Sequence, residues 1–138
     1  MSKLESTGLG RTGADAIRIG FGGAPAGLTN YLDPFSPVDT AQREGVIAAI
    51  GRAVEVGINY FDTAAAYGTG ESEKIFGEGL SAAGISSQRD DLYIATKVSH
   101  NEANPRESIE KSLKNLRLDS LDLVQVHGTT YTPEARDQ

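Results

Sequence analysis

INYFDTAAAYGTGESEKIFGEGL, residues Ile58–Leu80, contains a complete strand–loop–helix unit, and its reading decides the fold. Ile58 to Phe61 combines a β-branched residue with aromatics, the composition of a short strand, and the run stops at Asp62. AAAYGTG, residues Ala64–Gly70, reads as a loop. Glu71 to Leu80 then forms a short helix with Ile75, Phe76 and Leu80 facing inward. Gly77 and Gly79 oppose that helix, each costing about 1 kcal/mol relative to alanine in a helix interior. The stretch also poses a chemical question. An aspartate stands where the strand ends, and Tyr67 follows one short turn later.

The same alternation extends both ways. Upstream, AIRIGFGG (Ala16–Gly23) alternates Ile17, Ile19 and Phe21 with smaller or polar residues, a strand pattern closed by Gly22 and Gly23. APAGLTNYLDPFSP (Ala24–Pro37) reads as a loop, although Leu28, Tyr31, Leu32 and Phe35 need an apolar surface to lie on. Asp39–Val56 has Val46, Ile47, Ile50, Ala53 and Val54 at helical spacing, with Gly57 in the place of a C-terminal cap. Downstream, Ala82–Asp91 is a linking turn and LYIAT is a strand ending at Lys97. Asn104, Pro105 and Glu107 suit the N-cap, first and third positions of a helix carrying Ile109, Leu113 and Leu116. LDLVQV is a fourth strand, ending at His127. Four strands alternating with three helices imply right-handed crossovers and a parallel sheet.

The 138 residues amount to one domain, and 38% hydrophobic content is enough to bury a core. The absence of cysteine excludes disulfides and thiolate chemistry, and two histidines make a histidine-rich metal site a poor expectation. A net charge of −6 without a basic block argues against nucleic acid and anionic membrane as partners. No segment approaches the roughly 18 apolar residues of a membrane span. A soluble cytoplasmic protein is the default expectation.

In a parallel sheet the ends of neighbouring strands share one edge, where ligands bind. Asp62, Lys97 and His127 are placed at three such ends, and the loop lets Tyr67 reach back over them. Tyrosine is a poor acid near neutrality, with an unperturbed pKa of about 10, and an adjacent ammonium favours its phenolate. Asp62 can hold Lys97 charged and in place, and His127 can donate to a substrate oxygen or to the tyrosine. The set suits protonation of an oxygen that is gaining negative charge, as in carbonyl reduction, with the hydride drawn from a cofactor. Each residue alone also has an ordinary structural reading. Asp62 then serves as a turn or cap residue, Tyr67 as packing, Lys97 as a solvated charge and His127 as a strand terminator.

The chain resembles the N-terminal part of an aldo-keto reductase. The likeness is carried by TGL (Thr7–Leu9), GFGGAP (Gly20–Pro25), the Gly57–Leu80 stretch, YIATKV (Tyr93–Val98) and ESIEKSLKNLRLDSLDLVQVH (Glu107–His127), in family order. Within the family it looks most like the sugar-dehydrogenase-like members of the D-threo-aldose and L-galactose dehydrogenase type. The resemblance implies a (β/α)8 barrel, here its first four parallel strands and three helices. It also implies NADP(H) or NAD(H) bound without a Rossmann motif, and a small carbonyl or sugar substrate. The family's catalytic tetrad maps to Tyr67 as general acid or base, Lys97 as its tuner, Asp62 as the partner of Lys97, and His127 as the residue orienting the carbonyl. Gly23 and Ala24, with Asp62, are expected to line the ribose side of the nicotinamide, and Leu28–Phe35 to wall the substrate pocket.

A full barrel has about 250 residues. Residues 1–138 therefore read as the N-terminal half of the oxidoreductase domain, truncated after the fourth strand at PEARDQ. In the family, the second half clamps the nicotinamide amide and the adenosine phosphate, so residues 1–138 are expected to carry the tetrad but an incomplete cofactor site. Two other readings follow. One is a non-catalytic interaction or regulatory module that self-associates through an open inner face bearing Ile19, Phe21, Ile58, Tyr60, Ile94, Val124 and Val126. The other is an incomplete gene product.

Overall fold

The computed structural model describes residues 4–32, 34–85 and 89–128. Along the chain run β1 (Ser6–Gly8), β2 (Asp15–Ile17), β3 (Phe21–Gly22), α1 (Ala24–Gly27), α2 (Thr40–Glu55), β4 (Tyr60–Asp62) and α3 (Glu71–Ala82). A 3-10 turn at Arg89–Asp91 leads into β5 (Tyr93–Ser99), α4 (Pro105–Leu116) and β6 (Leu123–His127). Strands β3, β4, β5 and β6 form one parallel sheet in that order. Part of the expected linking turn, residues 86–88, and the PEARDQ end lie outside the described residues.

The helices begin where their capping residues stand. Asp39 Oδ1 accepts from the Gln42 amide at 2.9 Å, and Asn104 Oδ1 from that of Glu107 at 3.3 Å, each satisfying a free N–H of the first turn. Gly57 follows α2 at φ +89°, a left-handed geometry that costs glycine little.

The segment read as one first strand, Ala16–Gly23, is two. Asp15–Ile17 pairs antiparallel with Ser6–Gly8, and only Phe21–Gly22 enters the parallel sheet. The division falls where Gly20 packs on Tyr60, a contact in which a Cβ would lie 2.9 Å from the ring. Asn59 holds the hairpin, accepting from Ile17 N at 2.7 Å and donating to Asp15 O at 3.1 Å. A further short helix, α1, occupies the start of the segment read as a loop.

Register assigns the faces of the sheet. Phe21, Phe61 and Ile94 lie side by side on one face, and Gly22, Asp62 and Ala95 on the other. The first face carries the core. Phe21, Phe61 and Phe76 pack with ring centroids 5.8–6.5 Å apart, and Ile50, Ile75, Leu80, Ile94 and Leu116 complete it. The two glycines of α3 are explained by close packing. Gly77 lies against the backbone of Asn115 and Leu116 at the end of α4, and Gly79 against the Ile50 side chain.

The expected uncovered inner face needs correction. Phe21, Ile58 and Ile94 belong to the core or pack against it. Val124 and Val126 are 41% and 56% exposed, but they alternate with Gln125 and His127 and so lie on the core-bearing face, not the face of Asp62. Strand β5 also runs two residues beyond Lys97, so that lysine sits within the strand and not at its end.

Candidate active site

The edge of the sheet brings the four chemistry-bearing residues together. Lys97 in β5 forms an ion pair with Asp62 Oδ1 at the end of β4 and also donates to the Thr63 carbonyl at 2.8 Å. The lysine side chain is only 13% exposed, so the carboxylate offsets the cost of removing its charge from water. Lys97 Nζ lies 5.0 Å from the centroid of the Tyr67 ring. The His127 ring meets Tyr67 edge-on, with centroids 5.4 Å apart at 87°.

The loop carrying Tyr67 is braced on both sides. Its amide bonds Ala64 O at 3.1 Å, and its carbonyl accepts from Ser72 N at 3.2 Å. Gly27 of α1 approaches that carbonyl so closely that a Cβ would lie 2.8 Å from its carbon. His127 is anchored through its own carbonyl, which accepts from the His100 amide at 3.1 Å.

Gly23 stands beside Asp62 at the end of β3. Its N–H donates to Asp62 O at 2.7 Å, and its carbonyl accepts from Ser72 Oγ at 2.7 Å. Both backbone groups are used internally, and Gly23 itself is buried against Ser72 and Phe76. Ala24 follows as the first residue of α1, half-buried. Gly22 lies in register with Asp62, and open space surrounds the place its Cβ would take. Open space at Gly22 leaves room for a ligand beside this acid, ammonium, phenol and imidazole.

Sequence reasoning missed one residue here. Gln125 donates from Nε2 to Asp62 Oδ2 at 2.8 Å. Its signal was available, because a lone amide in LVQV stands two residues before His127, on the same side of the strand. Tyr60 also lies on the Asp62 face. Burial, then the Asp62 charge, pushes its phenol above the ordinary value of 10.0, while Lys97 opposes them. The shift favours the neutral phenol.

Tyr31, Leu32, Pro34 and Phe35, of the expected pocket wall, line an open pocket of about 540 Å3 with Phe21, Pro25 and α2. It reaches Gly22, the register partner of Asp62, but none of the four strand-edge residues lines it. Among the described residues no cluster of three His, Asp or Glu is placed to hold a metal, and no helix is long and apolar enough to cross a membrane.

Behind Lys97, on the other face of β5, the fully buried Glu73 accepts from Thr96 Oγ1 at 2.7 Å and from Asn115 Nδ2 at 3.0 Å. This knot ties α3 and α4 to the strand that carries Lys97.

A parallel sheet backed by helices, with its polar side chains converging at one edge, defines an α/β-barrel type of site. Residues 18–135 match the model of the aldo/keto reductase family, and the chain belongs to that family. It is 35% identical over 138 residues to an L-galactose dehydrogenase of Arabidopsis thaliana, covering 95% of this chain and 40% of that protein. It is likewise 35% identical over 137 residues to the aldo-keto reductase YhdN of Bacillus subtilis, covering 90% and 38%. Among solved structures, the thermostable aldo-keto reductase Tm1743 superposes with a TM-score of 0.74 at 29% identity, over 95% of this chain and 44% of the other. A Klebsiella pneumoniae aldo/keto reductase in complex with NADP and acetate superposes with a TM-score of 0.63 at 27% identity, over 83% and 36%. The chain thus spans about 40% of the length of the curated relatives it matches, and its sheet is part of the barrel of those structures.

Proposed function

We propose that residues 1–138 form the N-terminal half of an NAD(P)(H)-dependent oxidoreductase domain and carry its proton-transfer machinery. The reaction interconverts an alcohol or sugar hydroxyl and a carbonyl. The observation that carries this reading is the half-buried Lys97–Asp62 ion pair lying against Tyr67, with His127 edge-on to the same ring. When bound, a nicotinamide cofactor donates hydride to the carbonyl carbon or accepts it from the alcohol carbon. Tyr67 gives its proton to the oxygen in reduction and takes the hydroxyl proton in oxidation. Lys97 stabilises the phenolate in both directions, Asp62 holds Lys97 in place, and His127 orients the oxygen. Gly23 and Ala24, beside Asp62, flank the ribose of the nicotinamide. The likeness to an L-galactose dehydrogenase supports a sugar hydroxyl as substrate.

Fluorescence titration of the purified chain with NADPH and with NADP tests the reading. Alcohol-dependent reduction of NADP is the expected result once the second half of the barrel is supplied, and the chain by itself is expected to bind the nucleotide weakly, because the family's clamp for it lies in that half. Binding no tighter than millimolar removes catalysis from this chain as purified.

A second reading, self-association as an interaction module, is favoured by the two exposed valines side by side on edge strand β6. Size-exclusion chromatography with light scattering distinguishes it. A tight dimer without nucleotide binding supports it, and a folded monomer removes it.

A further inference from the structure

The two carboxylate oxygens of Asp62 have different partners. Oδ1 accepts from Lys97, and Oδ2 accepts from Gln125 Nε2 at 2.8 Å. Gln125 lies directly across from Lys97 in the β5–β6 register. A carboxylate only accepts, so the amide must present its NH2 group here. An ammonium has three N–H donors. One of those of Lys97 goes to Asp62 and one to the Thr63 carbonyl. The third has no partner among the described residues, and the Tyr67 ring centroid lies 5.0 Å from Nζ.

The direction of that third N–H depends on where the other two acceptors sit. Thr63 O belongs to the backbone and is fixed by the strand. Asp62 Oδ1 belongs to a carboxylate whose terminal torsion is broad and nearly two-fold. Besides Lys97, Gln125 is the one side chain among the described residues that restrains it. A neutral donor suits the task. A cation there would compete with Lys97 for the carboxylate, an anion would repel it, and an aliphatic side chain would leave Oδ2 half-buried without a partner.

We infer that Gln125 is a positioning residue of this site: by holding Asp62 Oδ2 it fixes the carboxylate on Lys97 and so directs the remaining N–H of the ammonium toward Tyr67. The inference rests on reading Lys97 and Tyr67 as the proton-transfer pair.

The test uses Gln125→Met, which keeps length and removes the donor, and Gln125→Glu, which donates only while its carboxyl is protonated. The first measurement needs no turnover. In NMR spectra of the purified chain, Asp62→Asn should move the Gln125 side-chain amide signals. Gln125→Met should speed hydrogen exchange at the Lys97 ammonium. An unchanged Lys97 ammonium in Gln125→Met overturns the inference. The second measurement is alcohol oxidation across pH. Gln125→Met should lower kcat about tenfold, the scale of one hydrogen bond to a charged group, with KM nearly unchanged. Gln125→Glu should approach wild-type turnover at acid pH relative to Gln125→Met, and fall below it as the introduced carboxyl ionises. A loss of equal size at every pH in both variants indicates mere packing and overturns the inference. A wild-type chain that turns nothing over removes the proposed reaction but not this contact, which then stands or falls on the ammonium signal.

Discussion

Replacing Gly77 with alanine should destabilise the fold, although helix propensity alone favours alanine by about 1 kcal/mol. Gly77 lies in the interior of α3, where that gain would normally be realised. Here an added Cβ would lie 2.8 Å from the Leu116 carbonyl carbon and 2.9 Å from its oxygen, with Asn115 O closer still. These are backbone atoms at the end of α4, and no rotamer moves them away. The Leu116 carbon alone requires the two helices to part by about 0.6 Å to restore an ordinary 3.4 Å contact from 2.8 Å, and the nearer Asn115 O requires more. Overpacking a close-packed contact costs about 1–3 kcal/mol, and backbone on both sides places this case near the top of that range. Subtracting the propensity gain leaves a net loss of about 2 kcal/mol. With a urea slope of about 1.5 kcal/mol/M for a chain of this size, the unfolding midpoint should fall by rather more than 1 M. Gly51→Ala is the control, because Gly51 lies in α2 with nothing within 4 Å of its Cβ position. That variant should raise the midpoint by about half as much. A Gly77→Ala chain as stable as wild type, with an unchanged slope, would refute the argument that α3 carries glycine to let α4 approach.

Lys97→Met should lower turnover at least about a hundredfold while cofactor affinity changes little, since proton transfer is a transition-state effect. In the oxidative direction the deficit should shrink in alkaline solution, and a normal pH–rate profile would return Lys97 to the role of a structural charge. Arg43 bonds Glu78 at 2.8 Å and holds its carboxyl below the ordinary 4.5, while Lys74 chiefly does the same for Glu71. Because the folded values lie below the unfolded ones, this stabilisation is present above about pH 4.5 and fades as pH falls through the lowered values. Arg43→Met should therefore cost about 1 kcal/mol at pH 7 and less at pH 3, read from urea midpoints at the two pH values. An undiminished difference at pH 3 would count against an electrostatic origin. Glu73→Leu should cost about 3 kcal/mol by leaving Thr96 Oγ1 and Asn115 Nδ2 unpaired in the interior, with Glu73→Gln clearly milder in thermal unfolding. Equal losses in the two variants would mean that shape and not hydrogen bonding matters there.

Local chemistry was legible in the residues themselves. Asp39 and Asn104 start their helices because a side-chain oxygen satisfies the first-turn N–H groups, an interaction completed within three residues. The short strand at Asp62 was legible in outline, though it runs Tyr60–Asp62 and includes the aspartate, and the alternation of strands with helices implies parallel order. With Asp62, Lys97 and His127 spaced along that alternation, their meeting followed from topology. The family resemblance added the roles. What could not be read depends on distant parts of the chain. Nothing within AIRIGFGG marks where a single alternating run must break, because the break is set by Gly20 packing on Tyr60, some forty residues later. Val124 and Val126 look like any alternating pair, and only pairing with β5 assigns them to the core-bearing face. Gln125 appeared to be a stray amide until register placed it opposite Lys97, within reach of Asp62 Oδ2. Caps and periodicity are short-range and are written into neighbouring residues. Register, face and helix approach come from contacts between segments tens of residues apart, so only the folded chain decides them.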